Sequence, residues 1–236
     1  MEKAMPKNHW INWILHTIMM CHIPLALLAL LMLLAQDAIR FFMILFIALL
    51  MDSTAAMIKK VSKAEADVPG MDTDRLQAIS DYILYAFMPA AGLVFFGVIP
   101  IGLSWLAVLP LLSGAFRLSK THTEWNTNLT WAITLFYLYA LPVSLGVSIV
   151  VLLLITGICL FVEIKPTLWN NPKTAVVALM WMMVALTLLR NPHAASYQQI
   201  TWYSLLYFLS IIALSRVSQL SAKKLSPESG QAAEAS

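Results

Sequence analysis

The sequence predicts an all-α fold: a polytopic membrane helix bundle of about eight transmembrane helices, with both termini cytoplasmic. Three observations predict it. Of the 236 residues, 60% are hydrophobic and only 11% are charged, with a mean hydropathy of +0.78. A soluble domain of this length would lack the charge to cover its surface. The apolar residues also come in blocks close to bilayer length. Finally, the basic residues divide unequally between the connections. One side receives Lys3, Lys7, Lys59, Lys60, Lys63, Arg75, Arg117, Lys120, Lys165, Lys173, Arg216, Lys223 and Lys224, and the other only Arg40 and Arg190. That bias follows the positive-inside rule and orients the N-terminus toward the cytoplasm.

The spans read in order as about 13–35, 41–58, 76–98, 101–116, 129–143, 145–162, 174–189 and 200–220. The first follows Lys3 and Lys7, and Ala35-Gln-Asp-Ala38 offers no good small-x-small signal for cleavage. Its His16 and His22 lie six residues apart, too far round the helix for a shared face, and read as hydrogen-bonded or headgroup-facing. The second runs from Phe41 through Met51 into Asp52 and ends at Lys59-Lys60. Pro69-Gly70 marks a turn, and Asp72 or Thr73 is a fair N-cap for the third. Leu141-Pro-Val-Ser-Leu-Gly146 separates the fifth from the sixth with helix breakers. Glu163 closes the sixth as an interfacial acid, and Trp169, Trp181, Trp202 and Tyr203 suit lipid-facing or belt positions.

Residues 1–220 thus form a single transmembrane domain, and 221–236 form a cytoplasmic tail whose composition predicts disorder. Cys21 and Cys159 lie in apolar blocks without disulfide or zinc spacing and read as buried thiols. No basic-aromatic groove outside the membrane offers a nucleic-acid surface. Neither a Gly-rich phosphate loop nor a Gly-x-Ser-x-Gly or His-Glu-x-x-His signature is present.

Chemistry is sought at the intramembrane acids. Asp52 follows an unbroken apolar run, and Asp81 lies in Ile79-Ser-Asp-Tyr-Ile-Leu-Tyr-Ala-Phe-Met88. A carboxylate in hydrocarbon costs roughly 2.5–3.5 kcal/mol on insertion scales, which makes it a functional-site hypothesis by default. Asp52, Ala55, Ala56, Lys59 and Lys60 occupy adjoining positions of one helical stripe. The lysines there either meet a phosphate or anchor the helix at anionic headgroups. Asp74, Gln77 and Asp81 share a face of the third helix. Carboxylates beside a carboxamide could hold a hard divalent cation, while Asp74 could instead be a solvated first-turn acid facing the helix dipole.

In these residues the chain resembles the CDP-alcohol phosphatidyltransferases, and within them the bacterial phosphatidylcholine synthases. The family signature is Asp-x-x-Asp-Gly-x-x-Ala-Arg, a spacer, then Gly-x-x-x-Asp-x-x-x-Asp. Asp52 matches its first aspartate and Asp81 its last. Ala55, Ala56, Lys59, Lys60, Thr73 and Gln77 stand at the other positions. A rival register, Gly70-x-x-x-Asp74, places Ala78 last. The first register is preferred, because Asp81-Tyr-Ile-Leu-Tyr-Ala-Phe-Met-Pro-Ala90 is similar to the stretch after the last aspartate in those synthases. His16 to Leu30 is similar to their first helix, with Met19 to His22 in place of a Thr-x-x-Gly element. Lys120 to Trp131 also looks related.

The resemblance implies transfer of a phosphatidyl group from CDP-diacylglycerol to choline or another small alcohol, releasing CMP, in a bacterial inner membrane. It implies Mg2+ or Mn2+ held by Asp52, Asp74 and Gln77, with Asp81 as the catalytic base. Lys59 and Lys60 would bind the substrate phosphates. Choline would need an aromatic box, for which Tyr82, Tyr85, Trp125 and Trp131 are candidates. Two alternatives stay open: an inactive relative that binds lipid or a membrane partner, and a small ion-coupled transporter, although no inverted repeat is visible. Whether the chain pairs into a homodimer is likewise open.

Overall fold

The computed structural model describes residues 9–62, 73–119, 128–161, 180, 184, 187, 190, 197–206 and 209. Those residues are largely helical, with no strand among them. Among the described residues the α-helices up to 161 are, in order, α1 (His9–Met20), α2 (His22–Leu34), α3 (Ala38–Ser62), α4 (Thr73–Tyr82), α5 (Met88–Phe95), α6 (Val108–Leu118), α7 (Asn128–Ala140) and α8 (Leu145–Phe161). A π-helical turn, Ile83–Phe87, joins α4 to α5, and a 3-10 segment, Ile101–Ala107, leads into α6. Among the described residues, three helical stretches are long and apolar enough to cross a membrane: Trp10–Leu34, Ala38–Ala55 and Arg75–Phe95. Shorter apolar helices occupy Ile101–Phe116, Trp131–Ala140 and Leu145–Leu160.

The helices are turned inside out relative to a soluble bundle, as hydrocarbon solvent requires. On α2, Ile23, Leu27, Leu28, Leu31 and Leu34 face outward, while His22, Ala26, Ala29 and Leu33 are buried. The small inward residues let α2 and α3 approach closely. On α8 the exposed side is Val147, Val150, Leu153, Leu154 and Ile158. These apolar exteriors mark a membrane protein.

The first predicted span differs from a plain helix at its centre. Pro24 has no N–H and its ring crowds the carbonyl four residues back, so the ladder breaks at Met20 and Cys21 forms a turn between α1 and α2. Bonds from Cys21 N to Thr17 O (3.1 Å) and from Leu25 N to Cys21 O (3.2 Å) carry the helix direction across the break. The third span is interrupted too. Pro89 cannot bond to Tyr85, and the chain inserts a π turn in which Met88 N reaches Ile83 O.

The connection from α2 to α3 is tight. Gln36 takes a left-handed conformation (φ 54°), Asp37 N bonds to Met32 O (2.9 Å) and Gln36 N to Leu33 O (3.0 Å). This is the crossed pair that closes a helix C-terminus. Asp37 then caps α3 by accepting from Arg40 N at 3.0 Å. An antiparallel hairpin results. The predicted break between the fifth and sixth segments is also present, since α7 ends at Ala140 and α8 begins at Leu145. Most of 174–189, most of 200–220, the tail at 221–236 and most of the polar loop lie outside the described residues.

Candidate functional site: a histidine–aspartate–tyrosine centre

The hairpin dictates which side chains meet. His22 lies 15 residues before Asp37 and Asp52 lies 15 after it. At 1.5 Å per residue, both stand roughly 22 Å from the turn on antiparallel helices. They are therefore level, and the His22 Nε2 to Asp52 Oδ1 distance is 3.0 Å. The ring N–H is not aimed along the ideal line, so the contact is an ion-pair approach more than a linear hydrogen bond.

The other ring nitrogen settles the tautomer. His22 Nδ1 faces the carbonyl oxygens of Ile18 (3.1 Å) and Met19 (3.3 Å). Carbonyls only accept, so Nδ1 carries a proton and donates it. Nε2 meets the carboxylate, and a proton there completes an imidazolium–carboxylate pair. The ring is held at both ends and is 2% exposed.

The second oxygen of Asp52 is also taken. Tyr85 donates its hydroxyl to Asp52 Oδ2 at 2.6 Å, the short distance typical of an O–H bond to a charged acceptor. Tyr85 is fully buried and lies within the π turn forced by Pro89. The extra residue of such a turn changes the facing of the side chains on either side, which is why π turns recur at functional sites. Asp81, one helical turn before Tyr85, is 8% exposed. His22 on α2, Asp52 on α3 and Tyr85 in the π turn thus converge on one polar centre in which Asp52 is partly buried.

The remaining predicted site residues lie on α3 and α4. Gln77 is on α4, four residues before Asp81, and is partly buried. Asp74 begins α4, and Lys59 and Lys60 lie near the end of α3, but their side chains are outside the described residues. Ala55, at the second aspartate position of the signature, is buried and supplies no oxygen.

The aromatic-box candidates need correction. Trp131 is 1% exposed and gives its Nε1–H to Ser113 Oγ at 2.8 Å, tying α7 to α6. Tyr85 is committed to Asp52, and Tyr82 donates to the Leu111 carbonyl at 3.3 Å. Trp125 lies outside the described residues. Neither buried ring, Trp131 nor Tyr85, presents a face to a ligand, because each has been drawn into the core by its own polar hydrogen.

Sequence reasoning weighed His22 against His16 on the same helix and missed its partner across the hairpin. The signal was available as equal spacing from Asp37. His16 is buried with its ring edge-on to Trp13, centroids 6.3 Å apart.

No family model, curated protein or solved structure matches the chain.

The divalent ion that the resemblance implies would find a poor set of ligands at this centre. Mg2+ and Ca2+ take oxygen ligands, largely anionic ones. One oxygen of Asp52 accepts from the Tyr85 hydroxyl and the other lies against His22 Nε2. Ser53 and Thr54 return their hydroxyls to the carbonyls of Leu49 (2.7 Å) and Leu50 (2.8 Å) on their own helix. Among the described residues no three of His, Cys, Asp and Glu are grouped to hold a metal. In this arrangement Asp52 does not fit the role of a metal ligand.

Proposed function

We propose that the chain is a multi-pass membrane protein of CDP-alcohol phosphatidyltransferase type, similar to the bacterial phosphatidylcholine synthases. Its reaction would move a phosphatidyl group from CDP-diacylglycerol to choline or another small alcohol, with CMP as the leaving group. One observation carries this reading. Asp52, at the first signature aspartate, is paired with His22 and bonded to Tyr85, which lies four residues beyond Asp81 at the last signature aspartate. In the eight-span arrangement with cytoplasmic termini, the connection from α3 to α4 faces the cytoplasm of a bacterial inner membrane. Lys59 and Lys60 then stand where a pyrophosphate would enter, and Asp81 is the base for the acceptor hydroxyl.

A second reading has an observation of its own: a relative that binds the nucleotide-lipid without turning it over. One Asp52 oxygen accepts from the Tyr85 hydroxyl and the other lies against His22 Nε2, and Ala55 and Gln77 replace two acids of the signature. One assay separates the two. Protein reconstituted with CDP-diacylglycerol is given labelled choline, with lipid product and CMP measured together. Transfer predicts both products in equal amount and their loss in Asp81→Asn. Saturable CDP-diacylglycerol binding without CMP would assign the chain to the second reading. Neither binding nor product would sink both.

A further inference from the structure

We propose that His22 is the fixed counter-cation of Asp52, a protein-borne substitute for a divalent metal ion, so that this centre is assembled without metal. The inference stands whether or not the chain turns over lipid. It begins with charge. A carboxylate on a membrane helix needs a cation or several donors to offset its loss of water. A metal ion would have to reach an Asp52 oxygen within about 2.0–2.6 Å. One oxygen is covered by the Nε2 edge of His22 and the other by the Tyr85 hydroxyl. An ion bound at the first would sit against the edge of a ring that already carries a proton toward it.

His22 is not a side chain that can readily swing aside. Its Nδ1 is anchored to the carbonyls of Ile18 and Met19 on the turn before it. These carbonyls border the turn at Cys21, where Pro24 interrupts the helical hydrogen-bond ladder. The sequence change is equally specific. In the resemblance stated above His22 would stand at the glycine of the Thr-x-x-Gly element, where the imidazole would be an addition to the face opposite Asp52. Ala55 removes an oxygen ligand one turn along α3, and Ser53 and Thr54 are turned to their own backbone. Gain of a cation and loss of an anionic ligand occur at one place and in the same direction of charge.

The test uses the full chain in detergent micelles, with Mn2+ as the probe. Bound Mn2+ is followed by electron paramagnetic resonance, and melting is followed by intrinsic fluorescence with Mn2+ or with EDTA. The native protein is expected to melt at the same temperature in both and to show no stoichiometric Mn2+ site. Asp52→Asn should melt lower by the same amount in both. Saturable one-to-one Mn2+ binding by the native protein, abolished in Asp52→Asn, would overturn the proposal. His22→Gln provides the second arm, since it keeps a neutral N–H donor at similar length and tests the charge alone. It should melt below the native protein regardless of Mn2+. Native melting for His22→Gln would show that the cation does not hold Asp52, and the proposal would fail.

Discussion

Two regions on α3, about 15 Å apart along its axis at 1.5 Å per residue, are held together by opposite means. At the first, Phe42 packs against Phe41, Phe46, Phe96, Phe136 and Tyr139, with ring centroids between 5.4 and 6.5 Å. At the second, Asp52 meets His22 and Tyr85 through two directional contacts. The aromatic region is defined by shape, since lipid is as apolar as a phenyl ring and burial alone gives little reason to leave it. What holds it is contact density and the edge-to-face arrangement of rings. The polar region is defined by charge and donor placement. Removing a methylene should harm the first more, and removing a charge should harm the second more.

The largest effect is expected where that contrast is broken by removing one partner of the ion pair. His22→Ala leaves Asp52 with the Tyr85 hydroxyl alone inside the bundle. Breaking a fully buried pair costs about 3–5 kcal/mol, and the partly exposed Asp52 makes the expected loss smaller than that, read as a lowered unfolding midpoint in a mild-to-denaturing detergent titration. The double variant His22→Leu with Asp52→Leu should recover much of the loss, because no charge remains to be offset. A double variant worse than His22→Ala would mean that the centre is held by shape, like the aromatic end.

At the aromatic end, Phe42→Ala should cost about 3 kcal/mol through the cavity it leaves, and Phe42→Leu much less. The same titration checks both. If Phe42→Ala were neutral, the rings would be packed against lipid more than against one another, and the contrast between the regions would collapse.

Much of this division could be read from the sequence, and the reasons differ residue by residue. Asp52 and Asp81 announced themselves because a carboxylate in an apolar block is costly wherever it points. The break at Leu141-Pro142 was legible because proline acts on its own helix. His22 was not, because its importance depends on a partner 30 residues away, and only the three-residue connection Ala35, Gln36 and Asp37 sets that register. The left-handed Gln36 is a position where glycine or asparagine is the usual signal, so the turn was itself poorly marked. The role of Tyr85 was hidden by the π turn, since counting at 3.6 residues per turn assumes an unbroken ladder. Pro89 was the visible hint. Trp131 looked like a ligand wall because composition cannot show that its N–H is spent on Ser113.

The smallest expected effects compare two hydroxyls and sharpen the contrast further. Tyr85→Phe removes a bond to a charged acceptor, for which about 1.5–3 kcal/mol is typical. Ser113→Ala removes the acceptor of the neutral Trp131 bond together with the Ser113 hydroxyl's own neutral bond to the Pro110 carbonyl. Neutral polar contacts between membrane helices average only about 0.6 kcal/mol. Both variants keep their shape apart from one oxygen, and both lie in the buried interior. A difference between them therefore reports the charge of Asp52 and not the volume removed. The two should separate clearly in unfolding midpoint, with Tyr85→Phe the lower. In the background of Asp52→Asn the gap should narrow, because Tyr85 would then donate to a neutral amide oxygen. If Tyr85→Phe cost no more than Ser113→Ala in the native background, Asp52 would not be drawing on its hydroxyl. The short 2.6 Å contact would then be a consequence of packing around the π turn, and His22 would carry the stabilisation of Asp52 alone.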